Sequence, residues 1–116
     1  METAPQTASN HHPQFQIEID VVVFTLRENS LQVLLCCPRS AGQWQLPGVS
    51  LRTDAGLEET AAGCVTRFTG LHEAYLEQLY TYYKPGGNVA AVVYFALVPA
   101  DSLLKDKDES AANWFP

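Results

Sequence analysis

Positive charge is scarce in this sequence: seven Lys and Arg stand against thirteen Asp and Glu, for a net charge of −6. Phosphate backbones are gripped by clustered cations, so these residues alone are not expected to bind nucleic acid. One or two well-placed cations would still suffice for a small anionic ligand. Cysteine is equally sparse, with only Cys36, Cys37 and Cys64. No Cys-x-x-Cys pair is present, which argues against a structural zinc site. Neighbouring residues on a strand point to opposite faces, so Cys36 and Cys37 should not bridge each other. All three are read as small buried hydrophobes of a protein from a reducing compartment. No apolar run approaches the ~20 residues of a membrane span. No basic start leads into an apolar stretch, so no secretory signal is visible. These absences fit a cytoplasmic domain with no membrane partner. Ser, His and Asp occur at no spacing that suggests a nucleophilic triad.

What is present is enough for one core. The chain has 116 residues, 47% of them hydrophobic and 17% charged, and two domains of half that size would each be marginal. Residues 1–14 show no periodicity and read as a mobile arm ahead of a single domain over 15–116. His11 and His12 in that arm are read as solvated, not as a metal pair. From Phe15 to Leu26, Phe15, Ile17 and Ile19 alternate with Gln16, Glu18 and Asp20, after which Val-Val-Val-Phe is apolar on both faces. That is a strand entering a two-sided core. Arg27–Ser30 is a polar turn, and Leu31–Cys37 the returning strand of a hairpin that Pro38 ends.

Residues 39–54 form a long loop, and loops of that length in a small domain are usually functional. Asp54 is placed to cap a helix from about 55 to 69, where Leu57, Ala61, Cys64, Val65 and Phe68 recur as one apolar stripe. Gly63 inside that helix costs about 1 kcal/mol against Ala. Gly70 suits the position just past its end. Residues 73–83 and 89–99 flank Pro85-Gly86-Gly87-Asn88 and read as a second hairpin. Those glycines are explained by the turn, not by a phosphate loop. Residues 101–110 read as an acidic surface loop. The last apolar residues, Trp114 and Phe115, want something to pack on, so the polypeptide is expected to continue past Pro116. The order is strand, strand, loop, helix, strand, strand, short strand, with mixed or antiparallel pairing.

That order, with Leu46-Pro47-Gly48 before a helix ending in Gly70-Leu71, resembles a Nudix domain. The family signature is G-x5-E-x7-R-E-U-x-E-E-x-G-U, with U aliphatic, and it usually follows Leu-Pro-Gly. More narrowly, Asp20–Leu26, Leu31–Leu35, Tyr75–Thr81 and Trp114–Pro116 resemble the N-terminal domain of Nudix-related transcriptional regulators. The resemblance covers about residues 15–116. It implies an α/β fold, an α/β/α sandwich around a mixed sheet, whose C-terminal helix is missing from these residues. Setting the last Gly-aliphatic pair of the signature on Gly70-Leu71 puts its first Gly on Val49 and its first Glu on Ala55. The Arg-Glu pair falls on Gly63-Cys64, and the Glu-Glu pair on Arg67-Phe68. The scaffold positions match, while every charged position is replaced.

Nudix enzymes hold a divalent metal on those helix carboxylates to polarise a pyrophosphate and activate water. Magnesium takes oxygen ligands in near-octahedral geometry. A thiol is a poor ligand for it, a cation at Arg67 would repel it, and a phenyl ring at Phe68 supplies nothing. The resemblance therefore implies a catalytically silent domain with no catalytic residue, metal ligand or cofactor, sensing ADP-ribose or a related nucleotide. An active hydrolase whose magnesium ligands have moved, to Glu58, Glu59 or Glu77, is the alternative. A protein-interaction module without a ligand is another, and a homodimer stays open as a partner. The regulator family joins such a domain to a C-terminal winged helix, which these residues do not contain. The candidate ligand-binding residues are Arg39, Trp44, Gly48, Arg52 and Tyr82. By the resemblance, Arg39 is placed to meet phosphates, with a solvated loop arginine as the other reading; Arg52, in the same loop, is read first as solvated and second as a ligand contact. Trp44 could stack on a base or pack under Leu46-Pro47. Gly48 allows a tight turn. Tyr82 shares a strand face with Tyr80, where it could line a cleft.

Overall fold

A computed structural model describes residues 14–38, 42–52, 54–100, 102 and 111–116. The expected arm, with His11 and His12, lies outside the described residues apart from Gln14. Arg39 and nearly all of the acidic stretch over 101–110 lie outside them too.

The alternating segment at the start forms β1, Gln16–Arg27, which returns as β2, Ser30–Cys37. Their antiparallel register sets Arg27 opposite Ser30. The two turn residues, Glu28 and Asn29, both have positive φ, 52° and 62°, the type I′ geometry that matches strand twist. The stretch expected to be loop throughout contains a short strand, β3, Gly48–Ser50, which pairs antiparallel with Glu18–Asp20 of β1. Three residues are too few for alternation to show in a sequence. Gln45 in the same stretch bridges to Cys36.

The helix, α1, runs Leu57–Thr69. Its N-cap is Gly56, not Asp54 as expected. Asp54 lies two residues too early and instead pairs with Arg52 at 3.3 Å. The extended backbone at Gly56 (φ −83°, ψ 171°) makes the entry, and its N–H donates to the Glu59 carboxylate at 3.4 Å. That contact is the returning half of a capping box. Gly70 ends the helix with φ 77°, as expected, and its N–H donates to the Thr66 carbonyl at 2.8 Å.

The second hairpin is β4, Tyr75–Lys84, and β5, Val89–Leu97, with a register shift between Gln78 and Tyr80. The last strand, β6, Ala111–Phe115, pairs with β2. The sheet order is β4-β5-β1-β2-β6, with β3 on the N-terminal half of β1. Since β1 and β5 run parallel and the other pairs antiparallel, the sheet is mixed and the fold is α/β. One sheet face carries Ile19, Val21, Leu34, Val92 and Trp114 against Ala61, Cys64, Val65 and Phe68 of α1. This is the predicted helical stripe, buried as one core. Among the described residues no helix is long and apolar enough to cross a membrane.

Candidate functional site

Because Ile17 and Ile19 of β1 face the core side, Glu18 and Asp20 point to the opposite face. There the pairing sets Ala91 beside Glu18 and Tyr82 beside Ala91. The small Ala91 side chain leaves a trough between the β1 carboxylates and the end of β4. Lys84 spans it: its Nζ donates to Glu18 Oε1 at 2.8 Å and lies 3.9 Å from Asp20 Oδ2. From the other edge of β1, Gly48 sits opposite Asp20, and a Cβ there would strike the Asp20 carboxylate. Glycine is what lets the β3 backbone close over this pair. The resulting cleft, about 240 Å³, is lined by Glu18, Asp20, Gln45, Leu46, Tyr82 and Lys84.

Its electrostatics are unequal. Burial, then the hydrogen bond and negative charge of Glu18, push the Asp20 carboxyl up to about 7, so near neutral pH its protonated and ionised forms are both populated. Burial also raises Glu18, but hydrogen bonds from Lys84 and Asp20 and the Lys84 charge hold it below the ordinary value. The hydrogen bond to Glu18 keeps the Lys84 ammonium firmly charged. The cleft therefore offers a carboxylate, a carboxyl proton and an ammonium within reach of one another. Such a set can donate to and accept from hydroxyl groups while meeting one negative charge.

Of the candidates named from sequence, Tyr82 lines this cleft and Gly48 packs against its Asp20 wall. Arg52 does neither. It lines a second cavity of about 310 Å³ with Phe15, Gln16, Ile17, Ser50 and Leu51. Ser50 of that lining is the register partner of Glu18. Trp44 is 46% exposed and stands edge-on to Phe115 at 5.1 Å between ring centres. It borders the Gln45-Leu46 wall without lining the cleft. Glu18, Asp20 and Lys84 were missed. One signal was available for Asp20: it directly precedes the run that is apolar on both faces, where an acid must be buried.

The signature positions on α1 do not suit a hard cation. Cys64 and Phe68 are core residues, 8% and 5% exposed, and burial first of all pushes the Cys64 thiol up to about 12, so it stays protonated. The Arg67 guanidinium lies 5.4 Å from the Phe68 ring centre, a cation–π contact. Of the alternative acids, Glu59 is engaged at the N-cap and Glu77 accepts from the Tyr75 hydroxyl at 2.6 Å. Among the described residues no three His, Cys, Asp or Glu side chains gather where an ion could sit.

No protein-family model matches this sequence, and no curated protein matches it. Solved structures do. The Nudix domain of Shewanella oneidensis NrtR, in complex with ADP ribose, is 26% identical over all of this chain and 84% of that one, with a TM-score of 0.76. Shewanella oneidensis NrtR in complex with a 27-mer DNA is 27% identical, covering 86% of this chain and 50% of that one, with a TM-score of 0.72. A MutT/nudix family protein from Enterococcus faecalis superposes with a TM-score of 0.78 over 99% of this chain and 51% of that one, at 21% identity. The chain thus spans most of the first structure and about half the length of the other two.

Proposed function

Proceeding from a chain with the Nudix fold, we propose that it is a ligand-sensing domain that binds ADP-ribose or a related nucleoside diphosphate without hydrolysing it. The observation that carries this reading is the packing of Cys64 and Phe68 into the core. The positions that would have to project oxygen ligands toward a metal are spent on holding α1 to the sheet. Without those ligands the fold keeps a cleft that can hold a nucleotide intact. A sensor needs only to bind one of its states better than another.

Within the cleft, Glu18 and the protonated Asp20 engage ribose hydroxyls, the role an acidic residue takes in many nucleotide sites. Lys84 meets a phosphate, and the Tyr82 ring borders the sugar or base. The cleft alone is smaller than the ~300–1,000 Å³ typical of ligand pockets. A dinucleotide-sized ligand therefore runs on into the neighbouring cavity, where Arg52 supplies a second cation. Trp44, exposed beside Gln45 of the cleft wall, takes a base edge-on or stacked. The similarity to NrtR bound to ADP ribose supports the ligand class. In a transcriptional regulator of the cytoplasm, as the sequence resemblance implies, these residues would contribute the ligand signal. The net charge of −6 leaves DNA contacts to another part of the assembly.

Calorimetry with ADP-ribose, in EDTA and in excess magnesium, tests the reading when paired with chromatography of the same samples. The expected result is a binding heat that magnesium does not change and ADP-ribose recovered intact. Magnesium-dependent release of AMP would overturn the non-catalytic reading. Absence of heat at saturating concentrations would overturn the ligand.

A further inference from the structure

The lining of the Lys84 cleft holds two carboxyl groups and a single cation. The Lys84 ammonium lies 2.8 Å from Glu18 Oε1 and 3.9 Å from Asp20 Oδ2. A Cβ on Gly48 would touch both Asp20 Oδ1 and Glu18 Oε2, which sets the two carboxyl groups side by side. If both were ionised, one negative charge would go unmatched where water reaches little of it. Such a pair keeps one proton. The proton belongs on Asp20, the more buried of the two and the farther from Nζ: the side chains are 7% and 30% exposed.

The other groups around Asp20 leave this count unchanged. Among the described residues, β3 brings Gly48, Val49 and Ser50, β5 brings Ala91 and Val93, and the wall brings Gln45 and Leu46, none of them ionisable. β4 adds the phenols of Tyr80 and Tyr82 to Lys84. On α1, Cys64 feels the Asp20 charge, and burial keeps that thiol protonated.

We propose that the cleft takes up one proton together with its anionic ligand, and that Asp20 is the group that receives it. The inference deepens the ligand reading and rests on it. With the proton in place, Glu18, Asp20 and Lys84 sum to zero charge. Without it they sum to −1, and an incoming diphosphate is repelled at short range in a medium that screens poorly. The proton comes from solvent and lands on an Asp20 carboxylate oxygen; no bond of the ligand changes. Burial, then Glu18, already push this carboxyl up to about 7, and a bound anion raises it further. Binding above neutrality therefore draws in a proton, and linkage fixes the sign: affinity falls as pH rises, by up to about tenfold per pH unit. A diphosphate linked at both ends lacks the second ionisation near ~6 of a phosphate monoester, so the ligand's own charge does not produce the slope.

Calorimetry of the full chain with ADP-ribose between about pH 6 and 8.5, in pairs of buffers with different ionisation heats, tests the proposal. The dissociation constant is expected to rise at least about tenfold across that range. Proton uptake should be small at the acid end and close to one at the alkaline end. D20N carries the neutral form at every pH, and E18Q leaves one carboxylate to one ammonium. In both, the pH slope should disappear, whatever the absolute affinity. Circular dichroism checks their folding, and the wild-type proton count decides the matter if either fails to fold. Wild-type affinity that is flat with pH, or a slope that persists in folded D20N, overturns the proposal and leaves the ligand reading standing. No binding heat at any pH overturns both.

Discussion

Gly48 lies directly across β1–β3 from Asp20, and a side chain at Gly48 would collide with the Asp20 carboxylate and come within 3.1 Å of Glu18 Oε2. The Ile19 carbonyl, which cannot swing away, would be 3.3 Å off. Gly48→Ala therefore displaces the carboxyl pair or the β3 backbone, a form of overpacking that costs about 1–3 kcal/mol. Denaturant titration should show a lower midpoint at unchanged slope. The same variant should bind ADP-ribose more weakly, since the pair it displaces forms one wall of the cleft. Wild-type stability would mean that the β3 backbone is not held against Asp20.

The raised Asp20 carboxyl makes stability depend on pH in an unusual direction. Its value is about 7 in the folded chain against an ordinary 3.8, so between those values the folded state binds more protons than the unfolded one. Stability then falls as pH rises through that window. A displacement of this size corresponds to roughly 2–4 kcal/mol. Glu18 is held below its ordinary value and works in the opposite sense, but the larger displacement at Asp20 sets the sign. Asp20→Asn keeps a donor toward Glu18 and removes the titration. Thermal melts should therefore show the variant more stable than wild type at pH 8, with the two converging near pH 4. Parallel profiles would remove Asp20 as the cause.

Gly63 marks a place where the sequence is not at its stability optimum. It is exposed within α1, and a Cβ built there meets nothing within 4 Å. Gly63→Ala should stabilise the chain by about 0.5–1 kcal/mol, through the lower backbone entropy of the unfolded state and the better helix propensity. A rise in melting temperature with unchanged ligand affinity is the expected outcome. An unchanged melting temperature would indicate that the middle of α1 is not regular helix.

Much of this architecture was legible because periodicity and turn chemistry are local. The α1 stripe from Leu57 to Phe68, the stop at Gly70 and both hairpins followed from spacing alone. β3 was not legible, since its three residues become a strand only by pairing with Glu18–Asp20, a contact across some thirty positions. Asp54 was misassigned because Asp is a favoured cap, whereas the chain uses the extended backbone of Gly56 and gives Asp54 to Arg52. The cleft was half legible. Gly48 and Tyr82 follow from loop and strand position, but Lys84 reaches Glu18 only because β5 inserts parallel to β1, a fact of topology that no local pattern carries.

Phe68 offers the sharpest test of the claim that the metal positions have become core. Phe68→Ala opens a cavity between α1 and the sheet and should cost about 3–5 kcal/mol. Phe68→Glu restores the acid of the signature but loses the same packing and buries a carboxylate, which itself costs several kcal/mol when unpaired. Against a total stability of about 5–15 kcal/mol for a typical domain, F68E should be largely unfolded at room temperature, with magnesium giving no thermal stabilisation. Arg67 beside it disfavours a cation further, yet the pair R67E and F68E would be no better: R67E removes the charge conflict and leaves the packing defect of F68E. If F68E instead folds with near wild-type stability and gains a magnesium-dependent rise in melting temperature, residue 68 is not a core position and α1 is one substitution from a metal centre. A folded F68E without a magnesium response would separate the two claims: residue 68 would lie outside the core, and the absence of metal binding would rest on Cys64 and Arg67 alone.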